Sequence, residues 1–441
     1  MWTYHPDLLA RPVPRYTSFP TAAEFSDTVG RAEQENAIAS LPRGVDVSLY
    51  LHIPFCEQIC WYCGCNTARA NRAARVSAYL SALEREIAAV GALLYEKDIR
   101  VGRVSFGGGS PNAVRPYEFL RLLREVTLAF GATAPLISVE IDPRSFSEEW
   151  AALFADAGIA NASLGVQTFS PKLQEAIGRI QPPHLIEQCT HHLRRAGVSS
   201  LNFDLMYGLP GQTQDDLADS LRRAVELTPD RIALFGYAHV PQLMPRQRQI
   251  DAVQLPGQEE RFQMAAFGFD LLRDAGYVPV GFDHFALPAD PLARAASEGT
   301  LRRNFQGFTD DQADVLIGLG ASAISQFPGL IVQNEKNSGR YRMRLSAGQL
   351  SGARGVRRHE EDQWRGAVIE DILCRGEADL SVLPYSPSER GRLVPFAEKN
   401  LVMVEKDYLA VLPDGLPYAR TVAAIFDPYR KAVAREFSNA V

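Results

Sequence analysis

Apolar runs that alternate with helical stretches from residue 46 onward predict an α/β chain built as a partial (β/α)6 TIM-like barrel. Runs rich in apolar and β-branched residues lie at 47–53, 103–106, 136–141, 161–167, 200–207 and 231–238. Between them lie helix-like stretches at 73–94, 116–129, 147–157, 183–196 and 214–227, the rhythm of parallel βα units. The same rhythm fits a doubly wound sheet, and the position of the polar residues favours the barrel. Cys56, Gly107, Glu140, Gln167, Asp204 and Ala238 fall at or just beyond the ends of six different runs, the rim where barrels assemble their sites. Ser147 with Glu148 and Glu149 reads as a helix start, and Gly158 and Gly197 as helix ends.

The flanks read differently. Residues 1–45 carry Pro12, Pro14, Pro20 and Pro42, and their first half reads as an extended arm. Residues 46–355 hold the barrel and its extension, and 356–441 a small, mainly helical, winged-helix-like domain. There, helices are expected at 362–375 and at 386–399, the second with Ser386 as cap and Pro387 at its first position. A hairpin follows at 401–412 and a final helix at 429–437. The segment has no basic stripe, so packing or a lid role is expected of it rather than DNA binding.

Composition narrows the class. The chain has 441 residues, 46% hydrophobic and 22% charged, enough for a large core and ordinary for a globular protein. A net charge of −6 offers nothing global to nucleic acid or to an anionic membrane. Without an 18-residue apolar run or a basic start followed by an apolar stretch, the expected location is the cytoplasm. An anionic substrate must then be held by local arginines.

Four of the six cysteines, Cys56, Cys60, Cys63 and Cys65, stand within ten residues in a C-x3-C-x2-C-x-C pattern. Cys189 and Cys374 sit in helical context and read as buried filler. Structural zinc usually takes two separated pairs and a redox dithiol needs only C-x-x-C, so neither explains a first gap of three. Three thiolates on a 4Fe-4S cluster leave one iron free for a substrate or cofactor. Downstream, Gly107, Gly108 and Gly109 permit close backbone approach. Glu140 and Asp204 are carboxylates in apolar strands and need a partner such as a ribose hydroxyl or an ammonium.

The C-x3-C-x2-C spacing resembles that of the radical S-adenosylmethionine (SAM) enzymes. Longer stretches resemble one family among them, the oxygen-independent coproporphyrinogen III oxidases: 14–21, 50–66, 107–111, 139–144, 165–169, 204–210, 237–239, 283–285, 303–307, 323–325 and 426–429. The resemblance implies that Cys56, Cys60 and Cys63 ligate the cluster and that Cys65 is a required cysteine that is not a ligand. It implies one SAM at Tyr50, Gly107, Glu140 and Ile324, and a second at Tyr62, Gly108, Gly109, Gln167, Arg179, Asp204 and Ala238. Phe19, Ser110, Arg302 and Phe308 depart from residues frequent in the family.

The implied reaction turns two propionates of coproporphyrinogen III into vinyl groups, giving protoporphyrinogen IX in porphyrin and haem biosynthesis. A SAM-derived deoxyadenosyl radical starts it, because an unactivated CH2 has no acidic proton. The resemblance further implies a low-potential donor of flavodoxin or ferredoxin type, a separate acceptor for the last electron, and a monomer. Arg15, Arg302 and Arg303 are the candidates for the substrate carboxylates, Arg303 within the catalytic set. A haem-trafficking relative and a tetrapyrrole-modifying radical SAM methyltransferase are the alternatives. Cys65 and the stretch from Arg303 to Gly307 argue against the first.

Overall fold

The computed structural model describes residues 2–383 and 386–431. Six strands pair in parallel in chain order: β1 (Asp46–Ile53), β2 (Arg100–Gly108), β3 (Leu136–Ile141), β4 (Asn161–Gln167), β5 (Ser200–Tyr207) and β6 (Arg231–Gly236). Helices Ala73–Leu94, Pro116–Phe130, Glu148–Asp156, Pro183–Arg195 and Gln214–Glu226 stand between them. The first buries Leu80, Leu83, Ile87, Val90 and Leu94, a helical spacing that keeps one stripe against the sheet. Ser147 accepts from the Trp150 amide as the predicted cap, and Gly158 and Gly197 take the left-handed conformation after their helices.

The sheet is wider than predicted. Val315–Leu319 is a seventh parallel strand, paired with β1. Antiparallel strands Ile324–Phe327, Leu330–Asn334 and Gly352–Arg357 extend that edge, while His284–Ala286 and Val278–Val280 extend the β6 edge, making twelve strands. β6 ends at Gly236, two residues earlier than expected, so Ala238 lies beyond it.

Strand alternation divides the barrel wall chemically. Val104, Val139, Leu164 and Phe203 are buried, whereas their neighbours Ser105, Ser138, Ser163 and Asn202 line an internal cavity of about 350 Å³. Near the N-terminal ends of the strands, Arg103 pairs with Asp310 at 2.7 Å and Arg231 with Asp290 at 2.8 Å. The interior is therefore polar on this side.

The C-terminal region has the predicted helices as Glu360–Cys374 and Pro387–Glu398, the latter capped by Ser386. Its hairpin, Val402–Glu405 with Tyr408–Val411, gains a third strand, Glu377–Asp379. Three residues carry too little pattern for that strand to be read from sequence. The final expected helix lies largely outside the described residues. Cys189 and Cys374 are buried in helices. No helix among the described residues is long and apolar enough to cross a membrane.

The N-terminal segment is a packed strap, with a short helix at Pro6–Leu9 and a longer one at Arg31–Ala39. Leu9, Val13, Tyr16 and Phe19 are buried in the main core. The Tyr16 hydroxyl donates to Asp427 at 3.0 Å, and Tyr418 donates to the Thr3 carbonyl at 2.7 Å. Deleting residues 1–22 would therefore remove core as well as open the rim.

Candidate active site

The cysteine loop leaves the end of β1 and is tied at its base. Phe55–Cys56 bridges Ala68–Arg69 in parallel, and the Ala70 amide donates to the Cys56 carbonyl at 2.8 Å. The glycines that close β2 clamp the same stretch: Gly109 N–H donates to Ile53 and Ser110 N–H to Phe55. A Cβ at Gly109 would stand 2.4 Å from the Phe55 carbonyl oxygen, and one at Gly107 2.4 Å from a Glu140 carboxylate oxygen. Glycine is required here by close approach.

Cys56, Cys60, Cys63 and Cys65 face one cavity of about 200 Å³, together with Tyr62, Gly108, Gly109, Glu140, Gln167, Arg179 and Asp204. Among the described residues, no three His, Cys, Asp or Glu side chains form a group that could hold a metal ion. The Cys60 sulfur accepts from Arg179 at 3.3 Å and from Arg144 at 3.5 Å. Two cations standing against this sulfur suit the negative charge of a thiolate-ligated cluster. Cys63 is pushed down to about 6 by its hydrogen bond with Cys65, helped by Arg246 and Arg179, and the Cys65 thiol is pushed up in return. Burial pushes Cys56 up to about 11.

Asp142 organises the cationic side. It pairs with Arg144 at 2.6 Å and with Arg179 at 3.4 Å, and despite its burial these arginines hold it below the usual carboxylate range. Arg179 spends its remaining donors on the Gly165 carbonyl at 2.6 Å and on Gln181 at 2.9 Å. Against the cost of burial, Tyr62, Asp142 and Cys60 hold its pKa above the ordinary arginine range.

The carboxylates behave differently. Glu140 reaches solvent through the cavity but is ringed by protein, and this burial pushes it up to about 7. It accepts from the Gly108 amide at 3.0 Å, which leaves acceptor capacity facing the cavity. Asp204 stands midway along β5 rather than at its end. It accepts from Ser163 at 2.9 Å and Asn202 at 2.8 Å, with its pKa raised by burial. Gln167 ends β4 in the left-handed region, with φ 65°, a strained conformation of the kind concentrated at functional sites.

Seven candidates fall outside this cavity lining: Arg15, Tyr50, Gly107, Ala238, Arg302, Arg303 and Ile324. Tyr50 lies on β1 and meets His52 at 3.2 Å. Ile324 opens the strand beside Val315–Leu319. Ala238 is joined to Tyr62 through Gln247, whose side-chain amide donates to both carbonyls. Arg302 is engaged by Glu370 at 3.1 Å and by Asp314 at 3.3 Å. Asp142, Arg144, Arg246 and Gln247 were not singled out from sequence. The Asp142-Pro143-Arg144 stretch after an apolar strand was the available signal for the first two.

Residues 50–224 match the radical SAM superfamily. The chain is 41% identical over 438 residues to the oxygen-independent coproporphyrinogen III oxidase of Bradyrhizobium diazoefficiens, covering 97% of each. Against the enzyme of the same name from Escherichia coli it is 35% identical, covering 97% of this chain and 96% of that one. The solved structure of the Escherichia coli coproporphyrinogen III oxidase, described as a radical SAM enzyme, superposes with a TM-score of 0.90 at 33% identity, covering 97% of this chain and 99% of that one.

Proposed function

The chain belongs to the oxygen-independent coproporphyrinogen III oxidase family of radical SAM enzymes, and from this premise we infer its reaction. It oxidises coproporphyrinogen III without oxygen in haem biosynthesis, converting two propionates to vinyl groups with loss of carbon dioxide. The observation that carries the reading is the convergence of four thiols, a glycine-closed strand and two buried carboxylates on one cavity at the barrel rim. When bound, a 4Fe-4S cluster and SAM supply the electron and the hydrogen-abstracting deoxyadenosyl radical.

In this reading Cys56, Cys60 and Cys63 hold the cluster, with Arg144 and Arg179 offsetting its negative charge beside Cys60. Glu140, with a single backbone donor, receives a polar group of the first SAM near Gly107, Tyr50 and Ile324. A second SAM is assigned to Tyr62, Gly108, Gly109, Gln167, Arg179, Asp204 and Ala238. Arg179 there acts through the fixed pose that Asp142 gives it. Cys65, whose amide donates to the Cys63 sulfur at 3.4 Å, acts as a required neighbour rather than a ligand. The assignment includes a flavodoxin- or ferredoxin-type donor, an external acceptor for the last electron, and a cytoplasmic monomer.

Anaerobic incubation with SAM, a low-potential reductant and coproporphyrinogen III should give divinyl product and carbon dioxide. Methylated or linearised tetrapyrroles would overturn the reading. Serine at position 56, 60 or 63 should abolish cluster incorporation, read by iron content and Mössbauer spectra, while Cys65→Ser retains the cluster and loses turnover.

A further inference from the structure

A second group of arginines stands on the same rim, beyond the ends of β5 and β6, and two of its donor atoms are orphaned. Arg15, from the strap, donates to the Gly236 carbonyl at 3.1 Å and lies over the Phe235 ring. A Cβ at Gly236 would meet the Tyr207 hydroxyl at 2.9 Å and Nη2 of Arg261 at 3.1 Å, so three groups converge at that one glycine. Arg303 donates to the Arg15 and Tyr16 carbonyls and stacks on Phe308 and Phe282, at 4.3 and 5.0 Å from the ring centres. Arg420, on the short helix Ala419–Ala423 of the C-terminal region, is buried and lies 5.5 Å from the same Phe282 ring.

Four guanidinium groups from four separate parts of the chain are thus gathered around aromatic walls. Among the described residues, the carboxylate at their centre is Asp283, and it is bonded to His284 at 2.7 Å. Glu370 is taken up by Arg302 and the Arg303 amide. Nη1 of Arg303 and Nε of Arg261 are buried with no hydrogen-bond partner. Burial, with added repulsion from Arg15, holds Arg261, Arg303 and Arg420 below the ordinary arginine range, Arg420 at about 10. A buried cation that is short of acceptors is costly, and the orphaned donors of Arg261 and Arg303 persist where a ligand supplies the acceptor.

We propose that Arg15, Arg261, Arg303 and Arg420 form a carboxylate-binding station, and that its ligand is a propionate of the tetrapyrrole. The identity of the ligand rests on the reaction inferred above. A forked guanidinium matches a carboxylate with two parallel hydrogen bonds, and the aromatic walls suit the adjoining pyrrole ring. The station lies next to the cofactor cavity, since Tyr207 and Asp204 share β5. It recruits the strap and the C-terminal region to the site, which places Arg261 and Arg420 in substrate recognition beside the Arg15 and Arg303 already suspected from sequence.

The shared chemistry is a carboxylate, which SAM also carries, so the test separates the two. With anaerobically reconstituted holoenzyme, binding of fluorescent coproporphyrin III is compared with binding of its tetramethyl ester, and SAM binding is measured by equilibrium dialysis. The wild type should bind the free acid at least about tenfold more tightly than the ester. R261Q and R15Q should each lose most of that preference, R261K should recover part of it, and SAM affinity should not change. Cluster absorbance and thermal unfolding establish that each variant is folded, and R15Q serves should R261Q fail. Unchanged acid preference in the folded variants overturns the proposal, as does a loss of SAM affinity matching the loss of acid binding. Because binding needs no turnover, a wild type that binds the acid but does not decarboxylate coproporphyrinogen III refutes the reaction and leaves the station standing. Turnover with unaltered KM in the folded variants does the reverse.

Discussion

Two sets of buried arginines share one rim and are treated in opposite ways. Arg144 and Arg179 grip Asp142, and Arg179 also uses Gly165 and Gln181, so its donors are spent inside the protein. Arg15, Arg261, Arg303 and Arg420 crowd together with Asp283 at their centre, and Nε of Arg261 and Nη1 of Arg303 are left over. A fully satisfied charge network is scaffold: it fixes the cysteine loop side of the site before anything binds. An under-compensated one stores desolvation cost that a ligand anion relieves, so binding energy is concentrated where the protein leaves charge unpaired.

Breaking the satisfied side should have the largest effect. Asp142→Ala leaves two buried cations without their carboxylate, and the expected loss is about 3–5 kcal/mol. Chemical denaturation of the cluster-free protein measures it, and iron content after reconstitution should fall as Arg144 and Arg179 lose their pose beside Cys60. A loss below about 1 kcal/mol, the value of an ordinary surface pair, would show that Asp142 does not anchor this side.

The contrast was only half legible in the sequence. The cysteine loop, the glycines and the polar residues of β2 to β5 announce themselves because they interrupt apolar runs. β3, β4 and β5 have the predicted limits for the same reason. Val315–Leu319 escaped because two short antiparallel excursions, Val278–Ala286 in sequence and the Arg302–Thr309 hairpin, break the βα rhythm ahead of it. Arg261 and Arg420 escaped for another reason. Each sits on a helix, where an arginine reads as a solvated face, and its burial depends on how the strap and the C-terminal region dock onto the rim. That docking is a tertiary fact with no local pattern. Arg302 and Arg303 are adjacent in sequence, yet one is paired outward with Asp314 and Glu370 while the other turns toward the strap.

The strap that brings Arg15 to the rim can be loosened without touching any arginine. Tyr16 donates to Asp427 from a buried position, and burial raises the Asp427 carboxyl above its usual range even with that bond in place. Tyr16→Phe keeps the ring and removes the donor, so the expected cost is about 1–3 kcal/mol. Urea unfolding measures the loss, and limited proteolysis before residue 22 should quicken with it. If the station depends on the strap, discrimination between coproporphyrin III and its ester weakens in parallel. Intact discrimination in a variant with a freed strap would show that Arg15 is positioned by Gly236 alone.

The smallest effect isolates what compensation by cations achieves, through a carboxylate that has none beside it. Glu86, on Ala73–Leu94, is fully buried and accepts from the Gly320 amide at 2.6 Å, Tyr341 at 2.8 Å, Asn334 at 2.9 Å and Ser351 at 3.0 Å. All four donors are neutral, and burial raises its pKa above 4.5 despite them. Asp142, gripped by two arginines, is lowered from 3.8. The pH dependences therefore run in opposite senses. For Glu86 the folded state binds the proton more tightly than the unfolded chain. Its stabilising contribution is complete below 4.5 and is lost as pH rises through the folded value, by about 1.4 kcal/mol per unit of difference. For Asp142 the contribution is present above 3.8 and is lost as pH falls through its lowered value. Denaturation of the cluster-free protein at a series of pH values above 4.5 should show a declining component in the wild type that is missing in Glu86→Gln. The substitution also costs a constant amount, since one amide nitrogen now faces a former donor, but a constant does not alter the slope. Parallel slopes in the two proteins would mean that four neutral hydrogen bonds hold a buried carboxylate as well as two arginines do, and the physical distinction between the two sides of the rim would fail with it.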